Sequence, residues 1–155
     1  MSRRPTSRAI PPLYVLRAGE CCPECGAGTN VYTLAASGLH DVPQDATLEG
    51  FLVLTHIESL PKRLLALLKE RCTGYGLDRE AWSESPYLMN HCQCGAKLTD
   101  HYVHAEPGSA FFPTSPEECW NISLFTLPVS KEMPLRCSWT AGLGDLLDLD
   151  KALPW

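Results

Sequence analysis

Short apolar runs alternate with polar, turn-rich stretches along most of the chain. Runs of this length, bounded by Gly, Pro, Asn or Ser, are typical of β-strands. The stretch 38–50 is polar and rich in turn residues, so we predict a loop there. The predicted strands cover residues 13–16, 30–36, 51–57, 87–91, 97–104 and 119–127.

One segment has helical spacing instead, because its apolar residues recur on one helix face. Ser59 is the predicted N-cap, Pro61 lies in the first turn, and Gly74 ends the helix. The apolar stripe consists of Leu64, Leu65, Leu67 and Leu68, and the charged positions are Lys62, Arg63, Lys69, Glu70 and Arg71. Residues 75–86 are predicted to be irregular, with a further short helix or turn at 144–149. A helix among several strands predicts the α+β class.

Length and charge narrow the class of protein. The chain has 155 residues, which is enough for one domain with its own hydrophobic core. A formal net charge of −5 gives the whole protein no attraction to nucleic acid. Basic residues are nevertheless concentrated near the start of the chain, at Arg3, Arg4, Arg8 and Arg17. A local contact with phosphate therefore stays open.

Two short cysteine turns carry the clearest chemistry in the sequence. The first reads Cys22-Pro-Glu-Cys25-Gly and the second reads Cys92-Gln-Cys94-Gly. Each turn can direct two thiolates at one metal ion, and its glycine supplies the positive φ with which the chain leaves the turn. Together they supply the four ligands of a structural Zn²⁺ site. Such an ion would link two distant parts of the chain, so its binding would be coupled to folding.

The second turn is one residue shorter than the first, which leaves the fourth ligand open. Cys92 is the usual kind of donor, whereas His91 has the regular two-residue spacing to Cys94. Cys21 is likewise an alternative to Cys22. Two further interpretations are a set of buried reduced cysteines and a redox motif, although redox motifs normally begin a helix. The cysteines outside any ligand spacing are predicted to be core residues: Cys72, Cys119 and Cys137.

A polar cluster, Asp100-His101-Tyr-Val-His104-Ala-Glu106, follows the second turn. His101 and His104 would share one face of a helix but lie on opposite faces of a strand. Because we predict a strand here, the two histidines are not expected to bind one ion with Glu106 as general base. A zinc-dependent hydrolytic enzyme is therefore the weakest functional hypothesis.

Three blocks of sequence carry a resemblance: the first Cys-x-x-Cys-Gly turn, the Asn-His-Cys…Cys-Gly-Ala-Lys turn, and Glu106-Pro-Gly…Phe-Phe-Pro. Over roughly residues 13–36 and 87–113 the chain resembles a set of uncharacterised bacterial zinc-ribbon proteins. The resemblance implies a split zinc ribbon with an inserted strand-helix unit at about 38–86 and additional antiparallel strands. In that pattern the second turn is Cys-x-x-Cys, so this chain lacks one residue there. The resemblance implies no activity.

These observations lead to a domain plan and to a leading hypothesis. We predict a flexible arm at 1–10, one zinc-ribbon-like domain at 11–142, and an acidic tail at 143–155. We recognise neither a secretion signal nor a membrane-spanning run, so a reducing cytoplasm is expected. The leading hypothesis is a non-enzymatic, zinc-binding adaptor or regulatory protein that binds a protein partner. The alternative is a nucleic-acid-binding accessory protein that uses the N-terminal arginines and the basic helix positions.

Overall fold

The structure, a computed structural model, describes residues 5–81 and 83–155 and has an α+β fold built mostly from strands. Within these residues the strands are β1 (Ser7–Ala9), β2 (Leu13–Cys21), β3 (Gly28–Asp41), β4 (Ala46–Ser59), β5 (Tyr75–Asp78), β6 (Tyr87–His91), β7 (Lys97–Leu98), β8 (Ser123–Thr126), β9 (Met133–Ala141) and β10 (Leu153–Pro154). The helices are α1 (Lys62–Arg71) and α2 (Pro116–Cys119), with a π-helical turn at His101–Ala105 and 3₁₀ turns at Leu143–Asp145 and Leu149–Lys151.

Seven of these strands form one sheet around the long β3–β4 hairpin. Their order is β1-β9-β4-β3-β2-β8-β10, and β1 also pairs with β3, so β1, β9, β4 and β3 close into a ring. Strands β1 and β2 follow one another along the same edge of β3, where Ala9 lies opposite Leu39 and Leu13 lies opposite Ala36. A smaller sheet, β5-β6-β7, carries the second cysteine turn.

Both faces of the large sheet are covered by apolar side chains. Alternate residues of β3 and β4 divide between two cores, because successive side chains of a strand point to opposite faces. Leu34 and Leu54 lie in one core together with Leu64 of α1. Ala35 and Val53 lie in the other. Burial on both faces explains why the sequence of β4 contains a continuous apolar run and not an alternating one.

The loop predicted at 38–50 is wrong. Strands β3 and β4 continue through it and leave residues 42–45 for the turn. Gly38 lies at a bulge, where an added Cβ would be 2.8 Å from the carbonyl oxygen of Leu48. The composition favours a loop, but pairing with β1 and the burial of Leu39 hold this stretch in the sheet.

The predicted helix is confirmed as α1, although it is capped differently. Its N-cap is Pro61, which makes no side-chain cap bond, and Ser59 belongs to β4. After the helix, Gly74 has a φ of 83°, and an added Cβ would lie 2.5 Å from the carbonyl oxygen of His91. Only glycine fits here, because the chain passes directly against the strand that enters the second cysteine turn.

Several short elements also differ from the prediction. In the stretch 97–104, only Lys97–Leu98 forms a strand and a π-helical turn follows. The stretch 75–86, predicted to be irregular, contains β5, which is stabilised by pairing with β6. Strand β9 has no counterpart among the predicted strands. Pairing partners that are distant in sequence create these elements, and a local pattern does not contain that information.

The described parts of both ends belong to the fold. Strand β1, within the predicted arm, pairs with β3 and β9, while residues 1–4 lie outside the described residues. In the predicted acidic tail, Leu143 is buried and β10 pairs with β8. The Trp155 ring meets the Phe125 ring edge-on, with centroids 6.1 Å apart. Residues 7–9 and 153–154 therefore extend the large sheet.

Candidate metal centre

The first cysteine turn connects β2 to β3 and is closed by two backbone hydrogen bonds. The N–H of Cys22 donates to the carbonyl oxygen of Ala27 at 2.9 Å, and the N–H of Gly26 donates to the carbonyl oxygen of Cys22 at 2.9 Å. Gly26 has a φ of 75°, as the sequence predicted for the exit from the turn. The turn therefore presents two thiols from the end of a long hairpin.

The second turn connects β6 to β7 and repeats this pattern with one residue fewer. The N–H of Cys92 donates to the carbonyl oxygen of Ala96 at 3.0 Å, and the N–H of Gly95 donates to the carbonyl oxygen of Cys92 at 2.9 Å. Gly95 has a φ of 93°. The shortened turn thus keeps the closing bonds and the positive-φ exit of the first.

The two turns face each other, and their four thiols converge. The sulfurs of Cys22 and Cys94 are 3.7 Å apart, and those of Cys25 and Cys92 are 3.5 Å apart. All four sulfurs lie within 4.8 Å of one another, and no disulfide joins them. Four thiolates bound to one tetrahedral ion at 2.3 Å would lie about 3.8 Å apart. The cluster can therefore hold one metal ion.

Backbone amides near the cluster favour the thiolate form. The N–H groups of Cys25 and Glu24 reach the Cys22 sulfur, and the pKa of that thiol falls to about 7. The N–H of Ala96 acts on Cys94 in the same sense, but burial and the adjacent thiols raise the pKa of Cys94 to about 12. Ionising all four thiols together is therefore unfavourable unless a cation neutralises their charge, and a divalent ion would do so.

A buried amide links the two hairpins that carry the turns. The side chain of Asn90, the residue before His91 on β6, accepts from the N–H of Tyr32 at 2.8 Å and donates to its carbonyl oxygen at 2.9 Å. These two bonds imitate a rung of a β-ladder between β3 and β6. Because Asn90 lies two residues before Cys92, it fixes the distance between the turns.

His91, the alternative fourth ligand, is turned away from the cluster. Its Nδ1 lies 2.8 Å from the carbonyl oxygen of Gly74, and its Nε2 lies 2.7 Å from the Asp78 carboxylate. Both partners are acceptors, so only a doubly protonated ring satisfies both contacts. The hydrogen bond from the His91 ring, followed by the Arg79 N–H and Lys97, lowers the pKa of Asp78 to about 2. His91 thus supports the second turn from outside.

The other cysteines lie outside the cluster. Cys21 is exposed at the end of β2, and its carbonyl oxygen accepts from the Tyr102 hydroxyl at 2.6 Å. Cys72 and Cys119 are buried, and Cys137 is half-buried. Burial raises the pKa of both Cys72 and Cys137 to about 12, so these thiols stay protonated at neutral pH. They serve as small apolar side chains, in agreement with the sequence prediction.

The strand predicted for His101 and His104 is wrong, since both lie in the π-helical turn. Within this turn, the side chains of His101 and His104 lie near different carboxylates. His101 is 73% exposed, and its Nε2 is 3.9 Å from a carboxylate oxygen of Glu106. His104 is only 8% exposed, and its Nε2 is 4.0 Å from a carboxylate oxygen of Asp100.

Sequence reasoning missed His56, which approaches Asp100 from the opposite side. The backbone N–H of His56 donates to Asp100 Oδ2 at 2.6 Å, and the ring Nδ1 of His56 is 3.9 Å from the same oxygen. We call His56, Asp100 and His104 the histidine–aspartate site. Burial raises the pKa of Asp100 to about 6 and lowers the pKa of His104 to about 3. The four-residue spacing of Asp100 and His104 indicates that they are close only if the segment is helical. No feature of the sequence indicated that His56 lies near Asp100.

The basic residues considered for nucleic-acid binding are mostly on the surface. Lys62, Arg63 and Lys69 of α1 are exposed. Arg71 is exposed as well, and its guanidinium lies 5.4 Å from the centroid of the Trp155 ring. Arg3 and Arg4 fall outside the described residues.

No family model, curated protein or solved structure matches the chain. Among the described residues, no helix has both the length and the apolar character needed to cross a membrane.

Proposed function

We propose that Cys22, Cys25, Cys92 and Cys94 bind one structural Zn²⁺ and that the protein is a non-enzymatic adaptor or regulatory protein. The observation that carries the metal assignment is the convergence of four thiols within 4.8 Å from two turns of matching backbone pattern. Thiolates are soft donors that select Zn²⁺ over the hard cations Mg²⁺ and Ca²⁺. Four protein donors complete a tetrahedron and leave no position for water or substrate.

We further infer that the fold is a split zinc ribbon. Each turn lies between two antiparallel strands, β2 and β3 for the first and β6 and β7 for the second. Between the two hairpins the chain contributes β4, α1 and β5. In this arrangement the ion joins two hairpins that no continuous β-ladder connects.

Metal content and coordination test the zinc assignment. Protein purified without added metal should contain one zinc per chain, and Cys94→Ser should lose it. Cys21→Ser is the matched control, because Cys21 neighbours Cys22 in sequence but lies outside the cluster. Co²⁺ exchanged into this site should give a tetrahedral spectrum with strong thiolate-to-metal charge transfer. Full zinc retention by Cys94→Ser, with the Cys21→Ser control unchanged, would contradict the assignment.

The adaptor role rests on a closed metal site and on exposed apolar surface. Trp120, which follows α2, is 80% exposed, and Phe112 in the preceding loop is 42% exposed. Exposed tryptophan is typical of protein contacts, where it contributes more than most side chains. We expect a partner protein that co-purifies with the native chain to be lost with Trp120→Ser while zinc content stays the same. Partner binding that survives both Trp120→Ser and the removal of zinc would contradict the proposed role of this surface and of the metal site in the adaptor function.

Nucleic-acid binding is the second candidate, favoured by the exposed cations of α1. Affinity for DNA and RNA measured across a salt series separates it from the adaptor role. Phosphate contacts give binding that weakens steeply with salt. Replacing both Lys62 and Lys69 with Gln should then reduce the salt slope. Absence of binding at low salt would eliminate this candidate.

A further inference from the structure

Strand β3 has one stretch whose outer edge is free. Strand β2 pairs with β3 from Gly28 to Ala36, but β4 begins to pair with it only at Leu34. Among the described residues, no strand therefore pairs with the other edge of β3 between Gly28 and Thr33. This free edge begins directly after the first cysteine turn.

Hydrogen bonds near its two ends fix which backbone groups the free edge presents. Ala27 faces β2, because its carbonyl oxygen accepts from the N–H of Cys22 at 2.9 Å. Tyr32 faces away from β2, because its N–H and its carbonyl oxygen both bond to the Asn90 side chain. Backbone groups in a ladder alternate between the two edges of a strand. Every second residue between Ala27 and Tyr32 therefore turns its N–H and carbonyl oxygen to the free edge.

Gly28 and Asn30 are the two residues in these positions, and both are exposed. Each presents one N–H and one carbonyl oxygen, so four backbone hydrogen-bonding groups lie along the edge. Natural proteins usually protect a free edge with lysine, proline or a bulge, because an unprotected edge pairs with further strands. Gly28, Thr29 and Asn30 include neither a charged residue nor a proline. This edge is therefore open to pairing.

The free edge borders a groove of about 620 Å³. The second cysteine turn, at residues 91–94, lines the same groove together with Thr73. At Tyr32 the Asn90 side chain already takes the place of a neighbouring strand. Ligand pockets typically have volumes of about 300–1,000 Å³, so this space suits a short segment of extended chain.

We propose that an extended, basic segment of a partner protein pairs with β3 at Gly28 and Asn30 and lies in this groove. The segment would bond to all four free backbone groups and continue the β2–β3 sheet, as in other complexes formed by strand addition. Its alternate side chains would point to opposite faces. The inference deepens the proposed adaptor role, on which it rests, by naming the form of the partner.

The basic character of the segment follows from the sulfurs beside the edge. Cys25 and Cys94 are exposed and line the groove. Four thiolates around one divalent cation retain negative charge overall, so this part rests on the proposed zinc site. Among the described residues that line the groove there is no lysine or arginine. Lys or Arg of the partner segment would therefore be attracted to this end of the groove.

Amide hydrogen exchange, followed by nuclear magnetic resonance, tests the pairing directly. The full chain loaded with Zn²⁺ is titrated with a capped peptide of about eight residues in which Thr and Lys alternate. We expect saturating peptide to slow exchange of the Gly28 and Asn30 amides at least tenfold. The Thr29 amide, which faces β2, is the internal control and should change little. Bound peptide without protection of Gly28 and Asn30, or no binding at millimolar peptide, would overturn the proposal.

A second copy of this chain is the competing occupant of the edge. Protection of Gly28 and Asn30 that rises with protein concentration in the absence of peptide would show pairing between copies. That result would also overturn the proposal.

Variants at residue 30 supply an independent readout. Asn30→Pro removes an N–H from the free edge but no bond to β2, so peptide binding should weaken about three- to tenfold. Asn30→Ala keeps that N–H and is the matched control. Zinc content and melting temperature show that each variant is folded. Unchanged affinity in folded Asn30→Pro would contradict pairing at this edge.

A second probe, in which Glu replaces Lys, separates the pairing from the proposed zinc site. It should bind more weakly than the Lys peptide at low salt, and the difference should shrink as salt is added. Equal binding of the two peptides would contradict the basic character of the partner. Slowed exchange at Gly28 and Asn30 in protein that proves unable to hold zinc would contradict the proposed function while supporting the pairing.

Discussion

The cysteine cluster and the histidine–aspartate site are built in opposite ways. The cysteines stand on two local turns with matching hydrogen bonds, and their sulfurs already lie at 3.5 and 3.7 Å across the turns. The three members of the histidine–aspartate site come from a strained strand position and a π-helical turn, with nitrogen–oxygen distances of 3.9 and 4.0 Å. Among the described residues, only the four sulfurs are thus close enough together to hold one ion.

This difference predicts how each group of residues contributes to the stability of the fold. The proposed tetrathiolate ion would join segments that share no continuous ladder, so removing it should destabilise the protein. The buried Asp100 carboxylate instead costs free energy when it is charged. The account therefore predicts opposite stability effects when each site is disabled.

The largest expected effect is loss of the cysteine site. Cys22→Ser should lower the free energy of unfolding by about 5 kcal/mol, or the melting temperature by roughly 10–20 °C, because metal binding adds to folding stability. Thermal unfolding followed by circular dichroism measures it, and chelation of the wild-type ion should give a similar shift. Cys21→Ser should leave the melting temperature unchanged. Equal melting temperatures for Cys22→Ser and wild type would contradict a stabilising role of the cysteine site.

The next effect concerns the link between the hairpins. Asn90→Ala leaves the N–H and the carbonyl oxygen of Tyr32 without partners, so stability should fall by about 2–4 kcal/mol. Zinc affinity should fall as well, because the turns lose their fixed spacing. Denaturant unfolding and competition with a chelator measure both quantities. Asn121→Ala, at an exposed asparagine, is the control.

An effect of opposite sign is expected at the histidine–aspartate site. Asp100→Asn removes a buried charge while its side-chain oxygen still accepts from the His56 N–H, so the metal-free protein should gain about 1–2 kcal/mol at neutral pH. A gain in stability would show that the buried charge of Asp100 costs free energy in the folded protein. A clear loss of stability would instead show that the charged Asp100 carboxylate stabilises the fold. The two groups of residues would then not have opposite effects on stability.

The smallest effect is a pH dependence beside the second cysteine turn. The pKa of Asp78 is lowered to about 2, so its stabilising contribution is present above the unfolded-state value of about 3.9 and disappears as the pH falls toward 2. Metal-free Asp78→Asn should therefore be less stable than wild type at pH 6, and the two should converge by pH 2. Denaturant unfolding at both pH values measures the gap. A gap that stays constant over this range would assign the effect to something other than the charge of Asp78.

The contrast between the sites also explains what the sequence could predict. Cysteine turns are local: the residues that close each turn lie within six positions, so both turns can be recognised in the sequence. The choice against His91 could not be made, because its ring is held by Gly74 and Asp78 from a distant part of the chain. Likewise, the α+β class and helix α1 follow from the hydrophobic pattern. Strand β9 and the extension of β3 depend on partners far away in sequence.

The histidine–aspartate site lay beyond local reasoning for the same reason. His56 follows an apolar run in β4, and it lies where β4 loses register with β9 and its backbone N–H donates to Asp100. The sequence pattern around His101 and His104 indicates chemistry but gives the wrong secondary structure. Asp100, and not Glu106, is the carboxylate that approaches His104. The π-helical turn at His101–Ala105, which replaces the predicted strand, decides both points.

X-ray absorption at the zinc edge, on protein loaded with one equivalent of Zn²⁺, tests the central claim most directly. The account predicts four sulfur neighbours at about 2.3 Å, with no nitrogen or oxygen in the coordination shell. Three sulfurs with one imidazole nitrogen would return His91 to the site. A shell dominated by nitrogen and oxygen would contradict the four-cysteine centre altogether.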